Sequence, residues 1–254
     1  MQIRPGIELA GATDVGCVRE NNEDRYSYWE PPSDEDFRRK GRLLIVADGM
    51  GGHEGGQEAS HIAVAAIEKS YADAQEGDPR SWLLRGFQAA HNEIQQFATK
   101  YPLLQGMGTT CTALVILGHD AYYAHIGDSR LYLSRNSSIY RLTRDHSYVG
   151  RLVEQGIISP EEAAEHPQRN ILTAALGTGT AVPPESPEQP ISLESGDALL
   201  LCTDGLWSLV SDQEIQAAIG AKTLAVACRH LVEQAKERGG TDNITLEIAR
   251  VASI

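Results

Sequence analysis

The chain is 254 residues long, carries a formal net charge of −13 and consists of 41% hydrophobic residues. This length suffices for one large domain or two small ones, and the hydrophobic content excludes a chain that is disordered throughout. The negative charge argues against a protein that binds the phosphate backbone of nucleic acids or the surface of an anionic membrane.

Targeting signals and cysteine usage indicate the cellular compartment. No positively charged start followed by an apolar stretch occurs, and no apolar run approaches the length of a membrane span. The cysteines have no close pairing, so we interpret them as small buried hydrophobic residues in a reducing compartment. They are Cys17, Cys111, Cys202 and Cys228. We therefore expect a cytoplasmic protein.

The first part of the chain predicts strands around a polar cluster and a glycine-rich loop. A strand is expected from about Ile7 to Thr13, and Arg19–Asp24 is a dense polar segment before an aromatic run. Pro31–Arg42 mixes prolines with charges of both signs, which is typical of a solvated connection between two strands. Val46–Gly56 is apolar up to Asp48 and rich in glycine after it, which predicts a strand, a loop and then a helix.

Helical spacing gives way to strand spacing in the middle of the chain. Apolar residues recur at helical spacing from about Gln57 to Tyr71, and Asp78-Pro79 is a strong start for a second helix. From Thr109 to Arg141 the pattern predicts an antiparallel meander. Asp128 lies in a tight connection within this meander, where the sequence Gly-Asp-Ser also suits an ordinary turn.

The second half begins with a polar, irregular segment from Asp145 to Gly179, in which Ser159–Glu162 is a capping box that starts a short helix. An apolar strand then ends at Asp204, and a strand from Ile244 to Val251 follows Asp242. We find no internal repeat and no domain boundary, so we expect one domain.

Acids stand at the ends of four predicted strands, next to glycine or another small residue: Asp48, Asp128, Asp204 and Asp242. Taken singly, each is explained by a solvated turn. Together they indicate one edge of a sheet core lined with carboxylates, which must bind cations or shift their protonation because close like charges repel. Oxygen ligands favour Mg²⁺, Mn²⁺ or Ca²⁺ over zinc. Motifs of zinc sites, phosphate loops and nucleophilic serines are absent from the sequence.

Seven stretches resemble, in this order, the motifs of the metal-dependent protein phosphatase 2C (PP2C, PPM) family in its compact bacterial serine/threonine form: Arg19–Asp24, Val46–His53, Gly108–Thr110, Gly127–Arg130, Leu142–Ser147, Thr203–Trp207 and Gly240–Thr245. The ordered set covers nearly the whole chain and is far more specific than any single motif. The resemblance implies an α+β fold, a four-layer αββα sandwich of two antiparallel sheets with helices on both outer faces. It also implies one catalytic domain over residues 1–254.

The resemblance further implies a site for two Mn²⁺ or Mg²⁺ ions. By the family pattern, Asp48 bridges the two ions, and the Gly49 carbonyl completes one of the two sites. Asp204 and Asp242 bind the other ion. The implied reaction is hydrolysis of phosphoserine and phosphothreonine, with phosphotyrosine as a further candidate, by a water that bridges the two ions.

Other residues complete the implied site. Asp24, with Glu23 beside it, holds metal-bound water. Asp128 and Asp204 match the ligands of a third, weaker metal site. Arg19 matches the residue that grips the substrate phosphate, a task that suits a guanidinium that is always charged.

The sequence departs from the family pattern in two places. Eukaryotic members carry a histidine directly after the Asp-Gly pair, where this chain has Met50. His53 is a candidate general acid in its place, and a loop histidine that only bonds to nearby backbone is an equally good interpretation. Ser208 stands where eukaryotic members have another aspartate, so we expect the third metal site to be weak. Residues 150–175 correspond to the variable flap of the family, a candidate place for substrate choice, and Asp145 is interpreted as a cap of the following helix.

Two alternatives compete with a phosphatase. One is a non-catalytic member of the same fold that binds only metal ions or a partner, and the retained acids weigh against it. The other is a metal-dependent phosphodiesterase or nuclease, which the net charge disfavours. The expected partners are phosphorylated proteins, such as a PII-type signalling protein or the targets of Ser/Thr kinases. We expect a monomer that binds neither nucleic acid nor membranes.

Overall fold

Two antiparallel β-sheets form the centre of the computed structural model, which describes residues 4–51, 54–221 and 223–252. The strands in chain order are β1 (Ile7–Asp14), β2 (Asp24–Trp29), β3 (Arg42–Met50), β4 (Gly108–Thr109), β5 (Cys111–Leu117), β6 (Asp120–Ile126), β7 (Arg130–Arg135), β8 (Ser138–Arg141), β9 (Ile191–Ser192), β10 (Ala198–Cys202) and β11 (Ile244–Val251). The first sheet has the order β1-β11-β10-β7-β8, and the second has the order β2-β3-β5-β6-β9, with β4 paired to β3.

Helices cover both outer faces of these sheets. In chain order they are α1 (Asp34–Lys40), α2 (Glu54–Asp73), α3 (Pro79–Lys100), α4 (Tyr148–Glu154), α5 (Pro160–Glu165), α6 (Asp204–Trp207), α7 (Asp212–Ala221) and α8 (Leu224–Glu237). Helices α2 and α3 pack on the second sheet, and α7 and α8 pack on the first. The fold implied by the resemblance, a four-layer sandwich of two sheets between helices, is confirmed.

The innermost layer of the core lies between the two sheets. Leu44 and Val46 of β3 contact the same apolar cluster as Leu199 and Leu201 of β10, and all four side chains are fully buried. These residues are two apart along each strand, and alternate side chains of a strand point to the same face. The residues between them face the helices, so both faces of β3 and β10 are buried and these two strands are nearly continuous apolar runs.

Local capping explains where several helices begin. Asp78 caps α3 in a reciprocal capping box with Ser81, and Pro79 occupies the first helical position. Ser159 caps α5 in the same way with Glu162. Each box satisfies backbone N–H groups that have no partner inside the helix. These two helix starts agree with the sequence prediction.

The segment Pro31–Arg42 differs from the prediction of a solvated connection between strands, because α1 lies within it. Ser33 accepts a hydrogen bond from the backbone N–H of Asp36 and so begins the helix. Acidic residues fill the first turn of α1 and basic residues fill the last, which suits the helix dipole. The prolines precede this helix rather than interrupt it. The prediction of buried cysteines was also wrong at Cys17, which is exposed.

The segment that corresponds to the flap is anchored at its base. Ser147 caps α4, and it also pairs with Leu172 in an isolated antiparallel bridge. Thr173 donates its backbone N–H to the carbonyl of His146 over 2.8 Å. Residues 150–175 therefore leave and re-enter the body of the molecule at one place. Over the residues that the structure describes, no helix is both long and apolar enough to cross a bilayer.

Candidate metal centre

Two carboxylates face each other across the first pair of strands in the second sheet. Asp24 is the first residue of β2, and its register partner on β3 is Asp48. Asp48 follows Leu44 and Val46 at intervals of two residues, so it lies on the face that packs against the other sheet. The two acids therefore lie at one end of the gap between the sheets.

Two further acids reach this place from the other sheet. Asp204 begins α6 directly after β10, and Asp242 lies two residues before β11. The carboxyl groups of Asp48 and Asp204 lie close enough to affect each other's pKa. The Thr203 hydroxyl donates a hydrogen bond of 2.8 Å to Asp24 Oδ2. The fold thus brings together acids that are as far apart in the chain as residues 24 and 242.

The pKa values of these acids are raised. Burial raises the pKa of Asp24 to about 7 and that of Asp204 to about 6, and the negative charge of neighbouring carboxylates adds to both shifts. The pKa of Asp48 and that of Asp128 lie well above the ordinary value near 4, again because of burial and then of nearby acids. The cluster therefore has an unfavourable excess of negative charge.

Two carboxylate oxygens in the cluster have no hydrogen-bond donor. Asp24 Oδ1 and Asp204 Oδ1 are both buried, and neither accepts a hydrogen bond from any group within the described residues. Buried polar atoms are nearly always satisfied, and an exception needs an explanation such as an ion. Uncompensated oxygens in a set made only of carboxylates fit a hard divalent cation such as Mn²⁺ or Mg²⁺.

Glycines allow the backbone around Asp48 to pack closely. A Cβ atom on Gly49 would lie 2.0 Å from the carbonyl oxygen of Gly56 and 2.7 Å from that of Glu23. A Cβ atom on Gly56 would lie 2.3 Å from Glu23 Oε2. Any larger side chain would separate Glu23 and the start of α2 from the end of β3. The glycine-rich stretch is therefore required for the close approach of these groups.

One cation lies at the edge of the acid cluster. Arg19 Nη2 donates to Asp242 Oδ2 over 2.7 Å, and about half of the Arg19 side chain is exposed. Asn243, which the sequence interpretation assigned no role, connects the same loops. Its side chain accepts from the Glu23 backbone N–H and donates to the carbonyls of Val15 and Asn21. The sequence signal that could have indicated a role for Asn243 is its position directly after Asp242 in the stretch Gly240–Thr245, which resembles a family motif.

Asp128 lies beside the other acids in the turn between β6 and β7. It is 7% exposed, and Asp204 is the neighbouring carboxylate with the largest effect on its pKa. Trp207 Nε1 donates to the backbone carbonyl of Asp128 over 2.9 Å. Ser208, at the position where eukaryotic members have an acid, is exposed. His53 and Gly52 lie outside the described residues.

A second polar cluster, which the sequence did not predict, lies beside the Asp128 turn. Possible ligand atoms of His125, His146 and Glu185 all lie within 4.8 Å of one another. His125 Nδ1 is 2.9 Å from the Thr112 hydroxyl, and its Nε2 contacts two backbone carbonyls at 3.0 and 3.1 Å. Both ring nitrogens of His125 are therefore engaged in hydrogen bonds, so we interpret this histidine cluster as structural.

Asp145 has a different role from the helix cap expected from the sequence. Ser147 caps α4, because its hydroxyl accepts a hydrogen bond from the Gly150 backbone N–H. Asp145 instead forms a two-pronged ion pair with Arg130, with distances of 3.0 and 2.7 Å. The sequence interpretation missed this pair because its partners belong to different motifs.

Comparisons with known proteins agree with the fold. The model of the family described as protein phosphatase 2C matches residues 20–237. "Protein phosphatase PhpP" of Streptococcus pneumoniae is 38% identical over 247 residues, which are 95% of this chain and 96% of that protein. "Serine/threonine protein phosphatase PstP" of Mycobacterium tuberculosis is 38% identical over 245 residues, which are 96% of this chain and 45% of that longer protein.

Solved structures give the same result. The S. agalactiae serine/threonine phosphatase has a TM-score of 0.87 at 35% identity, with 96% of this chain and 99% of that chain covered. The catalytic domain of PstP in complex with two manganese ions has a TM-score of 0.84 at 36% identity, with 98% and 99% covered. The chain belongs to the protein phosphatase 2C family. The enzyme class implied by the resemblance, a protein phosphatase, is confirmed.

Proposed function

We propose that this chain removes phosphate from phosphoserine and phosphothreonine side chains of proteins, with Mn²⁺ or Mg²⁺ as its cofactor. The observation that carries the proposal is the group of buried carboxylates with raised pKa values and two unpaired oxygens. The relative PstP supports the choice of substrate and metal, because it is named a serine/threonine protein phosphatase and its catalytic domain has been solved with two manganese ions.

The chain offers ligands for two tight metal sites. We assign Asp48 to a position between the two ions, with the Gly49 carbonyl at one of them. Asp204 and Asp242 would bind the other ion. When bound, a pair of divalent ions lowers the pKa of a water held between them and neutralises charge on the phosphoryl group.

The remaining acids would surround this pair. Asp24 and Glu23 would hold water at the second ion, and the Thr203 hydroxyl keeps the Asp24 carboxylate oriented. We assign Asp128 together with Asp204 to a third, weaker site. Two observations support this assignment. Asp128 is buried, and a hydrogen bond from Trp207 joins its turn to α6.

Arg19 would bind the substrate phosphate. It lies at the exposed edge of the acid cluster, and Asp242 holds one of its nitrogens. The other guanidinium nitrogens can donate to phosphoryl oxygens, and such charge-assisted bonds are about twice as strong as neutral ones. The proposal that His53 protonates the leaving alkoxide is based on the sequence alone, because His53 lies outside the described residues.

A direct assay tests the proposal. Hydrolysis of p-nitrophenyl phosphate and of phosphoserine, phosphothreonine and phosphotyrosine peptides is measured with added Mn²⁺, with Mg²⁺ and with a chelator. We expect turnover that requires metal and favours phosphoserine and phosphothreonine peptides. A folded sample that binds Mn²⁺ but shows no turnover would overturn the proposal in favour of a non-catalytic binding protein.

A pair of variants tests the assignment of the sites. Asp204→Ala is expected to abolish turnover, because this residue belongs to the proposed tight pair. Asp128→Ala is expected to leave binding of the two tight ions intact and to remove only the weak binding event. Calorimetry with Mn²⁺ that shows loss of the tight pair in Asp128→Ala would contradict the assignment.

We also propose that the protein acts as a cytoplasmic monomer on signalling proteins. The candidates are a PII-type protein and the targets of Ser/Thr kinases. A phosphoproteome comparison between cells with and without the protein identifies the substrate, and light scattering after gel filtration measures the oligomeric state. A stable dimer in solution would contradict the monomer, and an unchanged phosphoproteome would contradict the signalling role.

A further inference from the structure

A continuous series of contacts joins the base of the flap segment to the acids of the metal centre. It runs from Asp145 through Arg130 to Trp207 and from Trp207 to the backbone of Asp128, and Trp207 lies in the same short helix, α6, as Asp204. These contacts lie at the start of β7 and around α6. Asp145, Arg130 and Trp207 are not themselves proposed as metal ligands. They surround the segments that carry two of the acids.

Trp207 links the two segments that carry Asp128 and Asp204. It is the last residue of the four-residue helix α6, and Asp204 is the first. Its indole N–H donates to the backbone carbonyl of Asp128 over 2.9 Å. Asp204 and Asp128 therefore belong to two loops that are held together by one hydrogen bond from a rigid side chain.

Arg130 fixes the Trp207 side chain. Its guanidinium carbon lies 3.5 Å from the centre of the Trp207 ring, which is a close cation–π contact. The guanidinium also donates to the Tyr132 hydroxyl over 3.0 Å and to both oxygens of Asp145. A planar guanidinium can stack and bind a carboxylate with two bonds at once, which a lysine ammonium cannot do.

The base of the flap holds the other side of the Asp128 turn. Asp145 binds Arg130, and the next residue, His146, donates its backbone N–H to the Gly127 carbonyl over 2.7 Å. The His146 ring accepts from the Gly127 backbone N–H at 3.3 Å. The turn is thus held on both sides of Asp128. Such support is needed because Asp204 and Asp128 carry like charges that repel each other.

We propose that Arg130, Trp207 and Asp145 are positioning residues that hold the Asp128 and Asp204 carboxylates at the separation that a divalent cation requires. This inference depends on the proposed function, because it assumes that the two acids bind metal. The groups that orient metal ligands typically change metal affinity or activity by 10–100-fold when they are replaced. Their effect is therefore measurable in the binding of Mn²⁺ alone.

The chain contains a matched control for the Arg130 pair. Arg135, at the other end of β7, forms the same kind of two-pronged pair with Asp197. Arg135 contacts none of the acids assigned to metal in the contacts that the structure describes. Arg130→Lys and Arg135→Lys therefore remove the same fork geometry from the same strand, and only the first removes it beside the metal centre.

The experiment is calorimetric titration of Mn²⁺ into the wild type, Arg130→Lys, Trp207→Phe and Arg135→Lys. Trp207→Phe keeps an aromatic ring under Arg130 and removes only the N–H that holds Asp128. The weakest Mn²⁺ binding event is expected to weaken by about tenfold or more in Arg130→Lys and Trp207→Phe. In Arg135→Lys, the affinity of this binding event for Mn²⁺ is expected to stay within about twofold of the wild type, even if the substitution changes the melting temperature. The Mn²⁺ concentration for half-maximal phosphatase activity should shift in parallel.

The outcomes separate the inference from the proposed function. Wild-type Mn²⁺ binding with the same affinities in Arg130→Lys, Trp207→Phe and Arg135→Lys would overturn the positioning role and leave the proposed function intact. A wild type that binds no Mn²⁺ would overturn both. A loss of affinity in Arg130→Lys and Trp207→Phe but not in Arg135→Lys supports the role, and recovery of activity at high Mn²⁺ concentration excludes a merely misfolded variant.

Discussion

The acid cluster and the histidine cluster lie side by side in this molecule, and they differ in whether their buried polar atoms have hydrogen-bond partners. In the histidine cluster, both ring nitrogens of His125 have hydrogen-bond partners, and Glu185 accepts from the Arg144 backbone N–H. In the acid cluster, Asp24 and Asp204 each keep a buried oxygen that no described group satisfies. Both clusters are built from titratable residues gathered from distant segments.

The difference indicates which of the two clusters is the better candidate for a cation site. A polar group that is buried and fully bonded stabilises the fold and leaves no capacity for a ligand. Carboxylates that are buried, close together and short of donors raise the free energy of the folded chain, and bound cations relieve that cost. Proximity of ligand-type residues alone would have favoured the histidine cluster. Unsatisfied oxygens and raised pKa values favour the acids.

The largest expected effect comes from removing one charge from the acid cluster. Asp204→Asn should lower metal-dependent turnover of a phosphopeptide by about 10³-fold or more, equivalent to about 4 kcal/mol in the activation free energy. In chelator the same variant should unfold at a higher temperature than the wild type, because the amide removes a buried charge from among like charges. Steady-state kinetics and thermal unfolding in chelator measure the two effects. If Asp204→Asn unfolds at a lower temperature than the wild type in chelator, the interpretation that repulsion among the acids destabilises the folded chain would be contradicted.

The opposite result is expected in the histidine cluster. His125→Ala should lower the free energy of unfolding by about 3 kcal/mol, because it leaves a cavity and unpaired groups around Thr112 and Gly127. Turnover at saturating Mn²⁺ should change far less than in Asp204→Asn. Denaturant unfolding measures the loss, and Thr112→Val, which removes a single contact of the ring, is the milder comparison. Unchanged stability in His125→Ala would show that the cluster is not structural.

The pH dependence of stability should separate the two clusters. The pKa values of Asp24, about 7, and Asp204, about 6, exceed the unfolded value near 4. In chelator, their favourable contribution to the free energy of unfolding is therefore present below pH 4 and is lost as the pH rises to 7. The pKa of His125, about 3, lies below the unfolded value near 6.5, so its contribution is lost as the pH falls from 6.5 to 3.

Thermal unfolding between pH 5 and 8 in chelator tests this contrast. We expect the melting temperature of the wild type to fall by about 5 °C or more as the pH rises, and the slope to be smaller in Asp204→Asn. Saturating Mn²⁺ should remove or reverse the slope, because metal binding requires deprotonated ligands. A melting temperature in chelator that rises with pH over this range would contradict the raised carboxylate pKa values.

The smallest expected effect concerns the cation at the edge of the acid cluster. Arg19→Lys should raise KM for a phosphopeptide by about tenfold with a smaller change in kcat, because lysine keeps the charge but loses the fork that binds two phosphoryl oxygens. Arg39→Lys, in the exposed helix α1, is the control and should leave both constants unchanged. A KM equal to that of the wild type in Arg19→Lys would show that Arg19 does not bind the phosphate.

Much of the fold was predictable because local signals and apolar periodicity agree with it. The helix start at Asp78, the capping box at Ser159 and the strand Ile244–Val251 were found where the sequence placed them. The helix within Pro31–Arg42 was not predicted, because its prolines favour an irregular connection, whereas the cap at Ser33 and the charge pattern favour a helix. The exposure of Cys17 was missed because a single residue in a loop carries no periodic signal.

From the sequence alone, the ordered motifs implied the family and its four-layer fold, and the apolar runs predicted that acids stand at the ends of strands. Only the tertiary structure decided which acids share one place, which oxygens lack a donor, and that Asp145 pairs with Arg130 instead of capping a helix. Burial and hydrogen bonding depend on neighbours that are distant in the sequence, such as Asp24 and Thr203, 179 residues apart, and Arg19 and Asp242, 223 residues apart.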